Sequence, residues 1–392
     1  MRFLLLLLLL HPVQDTLVER VWSLVASGFY RANDFERFRQ EASEAVEGLD
    51  GEQRVKVVND YLARLEASHT HLYSAREPAY YELLDVFAYG PQAEAITALF
   101  GGELPHYEGI GVVTREGVVW DVVPGGPGHQ LQRGDRIVSV DGQPFHPIDS
   151  FRGRAGKACR LTIEKRGDAL ELEVVPQDIQ PRRFFLQAIR ASARMQEHEG
   201  RRLAYVRMWS YAGEAYQEEL RAVLEGPLAG AEGLVLDLRG SWGGAQPKYM
   251  ELFAATPSLT MTSPEGEKFD LPGSTWNRPV VVLIDGSVSS GKELLAHAFK
   301  RSRRGLLVGE KTRGAVLGGG LHLLPDGHAL YLAQADVRVD GERLEGVGVA
   351  PDVEVGWNEG PDPLPEAGFR ELLKVLQKEK RPGMAVPRQL LE

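Results

Sequence analysis

Apolar residues between Asp15 and Phe100 recur at spacings of three and four. In DTLVERVWSLVASGFYR, Leu17, Val21, Leu24, Val25 and Phe29 fall near one helical face. In QRVKVVNDYLARLEASHTHLY, Val55, Val58, Tyr61, Leu62 and Leu65 do the same. The second helix is expected to end near Ala67, with Ser68–Tyr73 as the segment that follows. GGELPHYEGIGVV then interrupts the period with Gly and Pro and puts a boundary near Pro105. From Pro105 to about Pro176, short apolar runs alternate with glycine turns. There DALELEVVP alternates from Leu170 to Val174, like a half-buried strand. From Arg202 to Val355 the runs RLAYVRM, GLVLDLRG, PVVVLIDG and RGLLVGE are short and almost continuously apolar. Helical stretches such as Ala215–Leu224 and Lys292–Lys300 lie between them. Buried strands alternating with helices imply an α/β layer structure. One amphipathic helix, Phe369–Lys378, closes the pattern. The expected division is 1–14 as a leader, 15–104 as a helical N-terminal region, 105–180 as a β-rich domain, 181–360 as an α/β core, and 361–392 as a C-terminal helix and tail.

Composition narrows the class of partner. The 392 residues carry a net charge of −10, which argues against nucleic acid as a partner. A single cysteine, Cys159, rules out an intrachain disulfide and is expected to fill a core. No Cys/His spacing and no H-E-x-x-H suggest a metal, and neither a dinucleotide fingerprint nor a Walker motif is present. The first residues, MRFLLLLLLL, read as the charged and apolar parts of an export signal or tether, too short to span a bilayer. The localisation expected from them is periplasmic, extracellular or membrane-tethered, with membrane proximity through that segment.

The candidate chemistry starts at VVLIDGSVSSGKELLAHAF, which runs from Val281 to Phe299 and reads as strand, small-residue turn and helix. Ser290 falls at the helix N-cap, where unpaired N–H groups and the helix dipole favour negative charge. That environment suits an alkoxide or an oxyanion, and the N–H of Gly291 follows directly. Serine is also an ordinary N-cap residue, so the turn alone does not decide. A serine nucleophile needs a base. His297 lies seven residues along the helix, too far to share a proton, and His322 and His328 flank a turn and are expected to face solvent. His69, between Ser68 and Thr70, is the better candidate, because hydroxyl neighbours can set an imidazole's tautomer. In LVLDLRGSWGGAQ, Gly240, Gly243 and Gly244 crowd the turn after a strand, where backbone can approach a ligand closely.

The ordered set of motifs resembles a known family. YEGIGVV followed by LQRGDRIVSVDG is similar to a PDZ domain of the kind found in bacterial proteases. LAYVRM, GLVLDLRGSWGG, VVVLIDGSVSSGKELLAHAF, GLLVGEKTRGAVLGG and LEGVGVAPDVEV follow in the order of the tail-specific, C-terminal processing serine peptidases and their tricorn-like relatives. The resemblance covers roughly residues 50–356. It implies a PDZ-like domain ahead of a crotonase-like α/β sandwich. The family places its nucleophile three residues before a helical glutamate, which maps to Ser290 before Glu293, with Ser289 as runner-up. Its oxyanion hole maps to Gly291 and to Gly243 or Gly244. The lysine of the dyad-type enzymes would stand at position 315, which is Ala315 here; Lys311 and Lys292 are out of register and are read as surface lysines. The tricorn-like branch instead uses a histidine preceded by serine and a late glutamate, which map to His69, Ser68 and Glu345.

The resemblance implies a serine endopeptidase acting by acyl transfer to Ser290, with no metal and no cofactor, and the N-terminal segment adds the expectation that it is exported. Its partner would be a peptide or unfolded protein substrate, and a homo-oligomer stays open. The PDZ-like part implies capture of peptide C-termini at Gly109, Ile110 and Gly111. The rival reading is a non-catalytic peptide-binding scaffold that has kept the fold, supported by the missing lysine.

Overall fold

The computed structural model describes residues 16–379 apart from 33, 241, 255–258, 265, 272–274 and 357–360. The expected leader, 1–14, and the end of the expected tail lie outside the described residues. The chain divides into two compact units. One comprises Met1–Ala75 with Leu317–Val337, the other Arg76–Val316 with Arg338–Glu392.

In the first unit, helices Thr16–Gly28, Phe35–Ala45 and Gly51–Ala63 share a core with a small antiparallel sheet. Asp50 caps the third helix and forms a reciprocal capping box with Gln53. The periodic residues meet there as expected. Leu17, Val21, Val25, Val58, Leu62 and Leu65 are buried, and Leu24, Phe29 and Tyr61 pack against them. The third helix stops at Ala63, earlier than the expected Ala67, because the chain turns at Arg64–Glu66 and Glu66 takes a left-handed φ of 48°. Its sheet has the order His71–Tyr73, Ala329–Ala335, Gly318–Leu323, with His71 opposite Tyr331. His322 and His328 are both half-buried on this hairpin rather than solvent-facing, and burial lowers the pKa of His322.

The second unit is built on a six-stranded sheet. Its order is Arg194–His198, Arg201–Arg207, Gly233–Asp237, Val280–Ile284, Gly305–Gly309, Val353–Glu354, antiparallel at the first pair and parallel thereafter. Gly233–Asp237 and Val280–Ile284 are buried at every position, which is why they read as unbroken apolar runs. Helix Leu364–Glu379 covers Val235, Val281 and Leu283 with Ala367, Leu372 and Leu376. Helix Gly291–Arg301 follows the central strand, and its Phe299 meets Phe253 edge-on.

A second, antiparallel sheet in the same unit joins Val112–Arg115, Val118–Val122, Arg136–Val140, Cys159–Lys165 and Asp168–Val174. It closes over a core of Val119, Ile137, Leu161 and Ile163, with Cys159 buried among them. Asp168–Val174 lies at the sheet's edge and buries only Val174, less than its alternation suggests. Helices Pro78–Phe87 and Ala93–Leu99, continuous with the helical pattern of the N-terminal region, belong to this second unit.

Candidate functional site

The sharpest local feature lies where the central strand gives way to helix Gly291–Arg301. Ser290 is the helix N-cap and holds φ 54°, ψ −130°, a backbone conformation that a non-glycine residue adopts at a cost. Several bonds hold it there. Its N–H donates to Ala315 O at 2.7 Å and to Glu293 Oε2 at 3.2 Å. Upstream, Asp285 Oδ1 accepts the Ser287 N–H at 2.9 Å and also the Ser287 hydroxyl, while Ser287 Oγ accepts the Gly240 N–H at 2.9 Å. The strand-to-helix turn and the glycine turn are thus fastened to each other.

Glycine is required on both sides of that seam. A Cβ on Gly243 would lie 2.5 Å from Ser289 O, 2.7 Å from Ser290 Cβ and 2.9 Å from Gly291 N. One on Gly291 would lie 2.4 Å from Ala245 N and 2.8 Å from Gly244 C. The structure therefore brings together Ser290, Gly291, Gly243 and Gly244, with backbone N–H groups at a helix mouth and no side chain between them. Such a mouth can stabilise an oxyanion that forms on a carbonyl attacked there.

Two carboxylates brace the loop that faces the turn. Glu293 is fully buried and takes four donors: the Thr312 hydroxyl at 2.6 Å and the N–H groups of Gly314 at 2.7 Å, Ala315 at 2.7 Å and Ser290 at 3.2 Å. Burial raises its pKa against the opposing pull of those donors. Glu345 is buried, and its Oε2 accepts the next N–H along, from Val316, at 2.7 Å. The loop from Thr312 to Val316 thus hangs on both carboxylates and offers the Ala315 carbonyl to Ser290.

Ser68 and His69 belong to the first unit. His69 has a left-handed φ of 55°, its Nδ1 lies 2.8 Å from Ser68 Oγ, and its ring meets that of Tyr331 at 5.2 Å. The glycine segment expected to take a peptide terminus lies in the second unit. Ile110 O accepts the Gly128 N–H at 2.7 Å, and Gly111 O accepts the Val123 N–H at 2.9 Å. Gly111 needs to be glycine twice over, with φ at 69° and Phe184 Cζ 2.7 Å from where a Cβ would stand. Gly109 ends the strand Tyr107–Gly109, which pairs with Gln177–Ile179.

Two features escaped the reading from sequence. Lys292, expected at the surface, is fully buried, and its Nζ donates to Trp209 O at 2.7 Å. Burial, with Arg207 near, lowers its pKa to about 7. A signal was available: Lys292, Ala296 and Phe299 share the 4-and-3 spacing of one helical face, and both apolar members are buried. The second feature is a chain of charges, buried except at Asp362, which is partly exposed. Asp237 pairs with Arg239 at 2.6 Å, Arg239 with Asp362 at 2.6 Å, and Arg207 with Asp121 at 2.6 Å; Arg133 reaches Asp121 at 3.2 Å. Its pairings join positions up to 123 residues apart, which no local pattern announces. Among the described residues no group of His, Cys, Asp and Glu could hold a metal ion.

Comparisons with known proteins bear on the family and the fold. Residues 202–355 match the model of peptidase family S41. A tricorn protease homolog of Streptomyces coelicolor is 26% identical over 355 residues, covering 82% of this chain and 28% of that protein. A carboxyl-terminal-processing protease of Synechocystis sp. is 28% identical over 235 residues, covering 57% of this chain and 54% of its own length. The chain thus spans about half or less of these two relatives. Among solved structures, the photosystem II D1 C-terminal processing protease aligns over 88% of this chain and 94% of its own with a TM-score of 0.50 and 21% identity. The tricorn protease aligns over 92% of this chain and 36% of its own at 0.51 and 16% identity. At those identities the likeness is one of fold.

Proposed function

We propose that this chain, whose residues 202–355 match the model of peptidase family S41, is a serine endopeptidase that cleaves peptides or protein tails through an acyl-enzyme at Ser290. The observation that carries the reading is the seam where the Ser290–Gly291 turn touches Gly243 and Gly244 with no room for a side chain. In the proposed reaction the Ser290 hydroxyl attacks the scissile carbonyl, and the N–H groups of Gly291 and of Gly243 or Gly244 receive the oxyanion. His69 is assigned as the general base. With its Nδ1–H donating to Ser68 Oγ, Nε2 carries the lone pair that takes the serine proton and later returns it to the leaving amine. Glu345 is assigned a supporting role, holding the loop that bears the Ala315 carbonyl. Water then hydrolyses the acyl-enzyme.

The segment Gly109–Gly111 is proposed to receive the substrate's C-terminal carboxylate in PDZ-like fashion. Export, resting on the apolar run Phe3–Leu10, is part of the same proposal. A fluorophosphonate probe tests the chemistry. Labelling of wild type that is lost in Ser290→Ala and in His69→Ala is the expected result. A folded wild type that stays unlabelled would instead leave a non-catalytic peptide holder.

A further inference from the structure

Lys292 has no part in the reaction as written, yet it is a lysine with no exposed surface, two residues from Ser290. Its amine is committed to the carbonyl of Trp209, at 2.7 Å. That carbonyl also touches the glycine turn: a Cβ on Gly240 would stand 3.0 Å from Trp209 O, and Gly240 holds φ 120°, open in practice to glycine alone. The same segment grips the turn again, since the Tyr211 N–H donates to Trp242 O at 3.1 Å. One side chain therefore links the first turn of the serine-bearing helix to the segment against which the glycine turn is packed.

We propose that Lys292 is a positioning residue for the oxyanion site, its ammonium holding the Ser290–Gly291 turn and the Gly240–Gly244 turn in register and adding positive charge behind them. This inference rests on the peptidase reading and deepens it. The charges around the amine are mixed. Arg207 from strand Arg201–Arg207 opposes the ammonium, whereas Asp237 at the end of Gly233–Asp237 and Asp285 after Val280–Ile284 favour it. On its own helix, Glu293 is occupied by Thr312, Gly314, Ala315 and Ser290. Burial is the largest influence and brings the amine's pKa down to about 7. The ammonium is then present below that pH and lost above it, and a neutral amine neither carries the charge nor grips the carbonyl as strongly. Loss of the ammonium lowers activity on the alkaline side.

The test uses the full chain and two readouts across pH 5–9: the rate of fluorophosphonate labelling, and kcat and KM for p-nitrophenyl acetate. Wild type is expected to show an alkaline fall with a midpoint near 7. Lys292→Met, which keeps the stem and removes the amine, is expected to lower kcat about 100-fold, the scale of a displaced catalytic group. Its KM should change little and its alkaline fall should disappear. A folded Lys292→Met whose kcat and alkaline limb match wild type overturns the inference while leaving the peptidase reading intact. If Lys292→Met does not fold, the wild-type profile still decides, because a rate that stays level from pH 7 to 9 overturns the inference. Wild type that is never labelled overturns the peptidase reading and this inference with it.

Discussion

Two polar regions of the second unit lie at or just beyond the ends of two neighbouring strands, Gly233–Asp237 and Val280–Ile284, and are stabilised by opposite means. Around Ser290, the carboxylate of Glu293 is surrounded by neutral donors, one hydroxyl and three backbone N–H groups. Around Asp237, carboxylates are matched by guanidinium groups, with three aspartates, Asp121, Asp237 and Asp362, against three arginines, Arg133, Arg207 and Arg239. The neutral cradle shapes backbone and leaves the mouth of the helix free of side chains. The ion chain joins elements, since Arg207 and Asp237 lie on the parallel sheet, Asp121 on the antiparallel one, Arg133 just before that sheet's strand Arg136–Val140, and Asp362 just before the last helix. Burial raises the Glu293 pKa, whereas in the ion chain the arginines overcome burial and hold Asp237 well below its usual range. The difference teaches that a buried carboxylate can serve as a template for a loop or as a rivet between sheets, and that its neighbours decide which.

The contrast is open to direct attack. Asp237→Asn should have the largest effect on stability, about 3–5 kcal/mol, because it leaves Arg239 and Arg207 short of a buried counter-charge. Urea denaturation measures it, and a loss below about 1 kcal/mol would break the rivet description. Gly243→Ala should cost about 1–3 kcal/mol through overpacking against Ser289 O. The same change should lower the labelling rate at Ser290 about 100-fold, as the seam is forced open. Glu293→Gln should cost less than Asp237→Asn, about 1–3 kcal/mol, with an amide N–H turned toward one of the four donors.

The pH dependence sharpens the comparison with the smallest effects. A depressed Asp237 contributes stability that is present above its unfolded pKa of about 3.8 and is lost as pH falls through its folded value. A raised Glu293 works the other way, contributing below about 4.5 and losing that contribution as pH rises through its folded value. Thermal denaturation across pH 3–8 should therefore show Asp237→Asn most harmful at neutral pH and Glu293→Gln more harmful, relative to wild type, in acid. Matching trends in the two variants would remove the distinction.

Much of this was legible in the residues. The faces of helices Thr16–Gly28 and Gly51–Ala63, the buried strands Gly233–Asp237 and Val280–Ile284, and the helix that begins after Ser290 all follow from spacing. The glycines at 240, 243 and 244 also marked a close approach, though not what would be approached. The helical region expected from 15 to 104 is divided at Ala75, because its first part shares a sheet with a hairpin some 250 residues downstream. Periodicity reports which face of a helix is buried and says nothing of the distant partner that buries it.

The sequence by itself determined the elements, the serine at a strand-to-helix turn and the glycines able to meet it, because these depend on side-chain period, capping and the absence of a Cβ within a few residues. Only the tertiary structure decided that Lys292 would find the Trp209 carbonyl, that Glu293 would be met by Thr312, Gly314 and Ala315, and that Arg207 would find Asp121. Those outcomes turn on which groups lose their water together, and solvent exclusion is a property of the packed chain rather than of any segment within it.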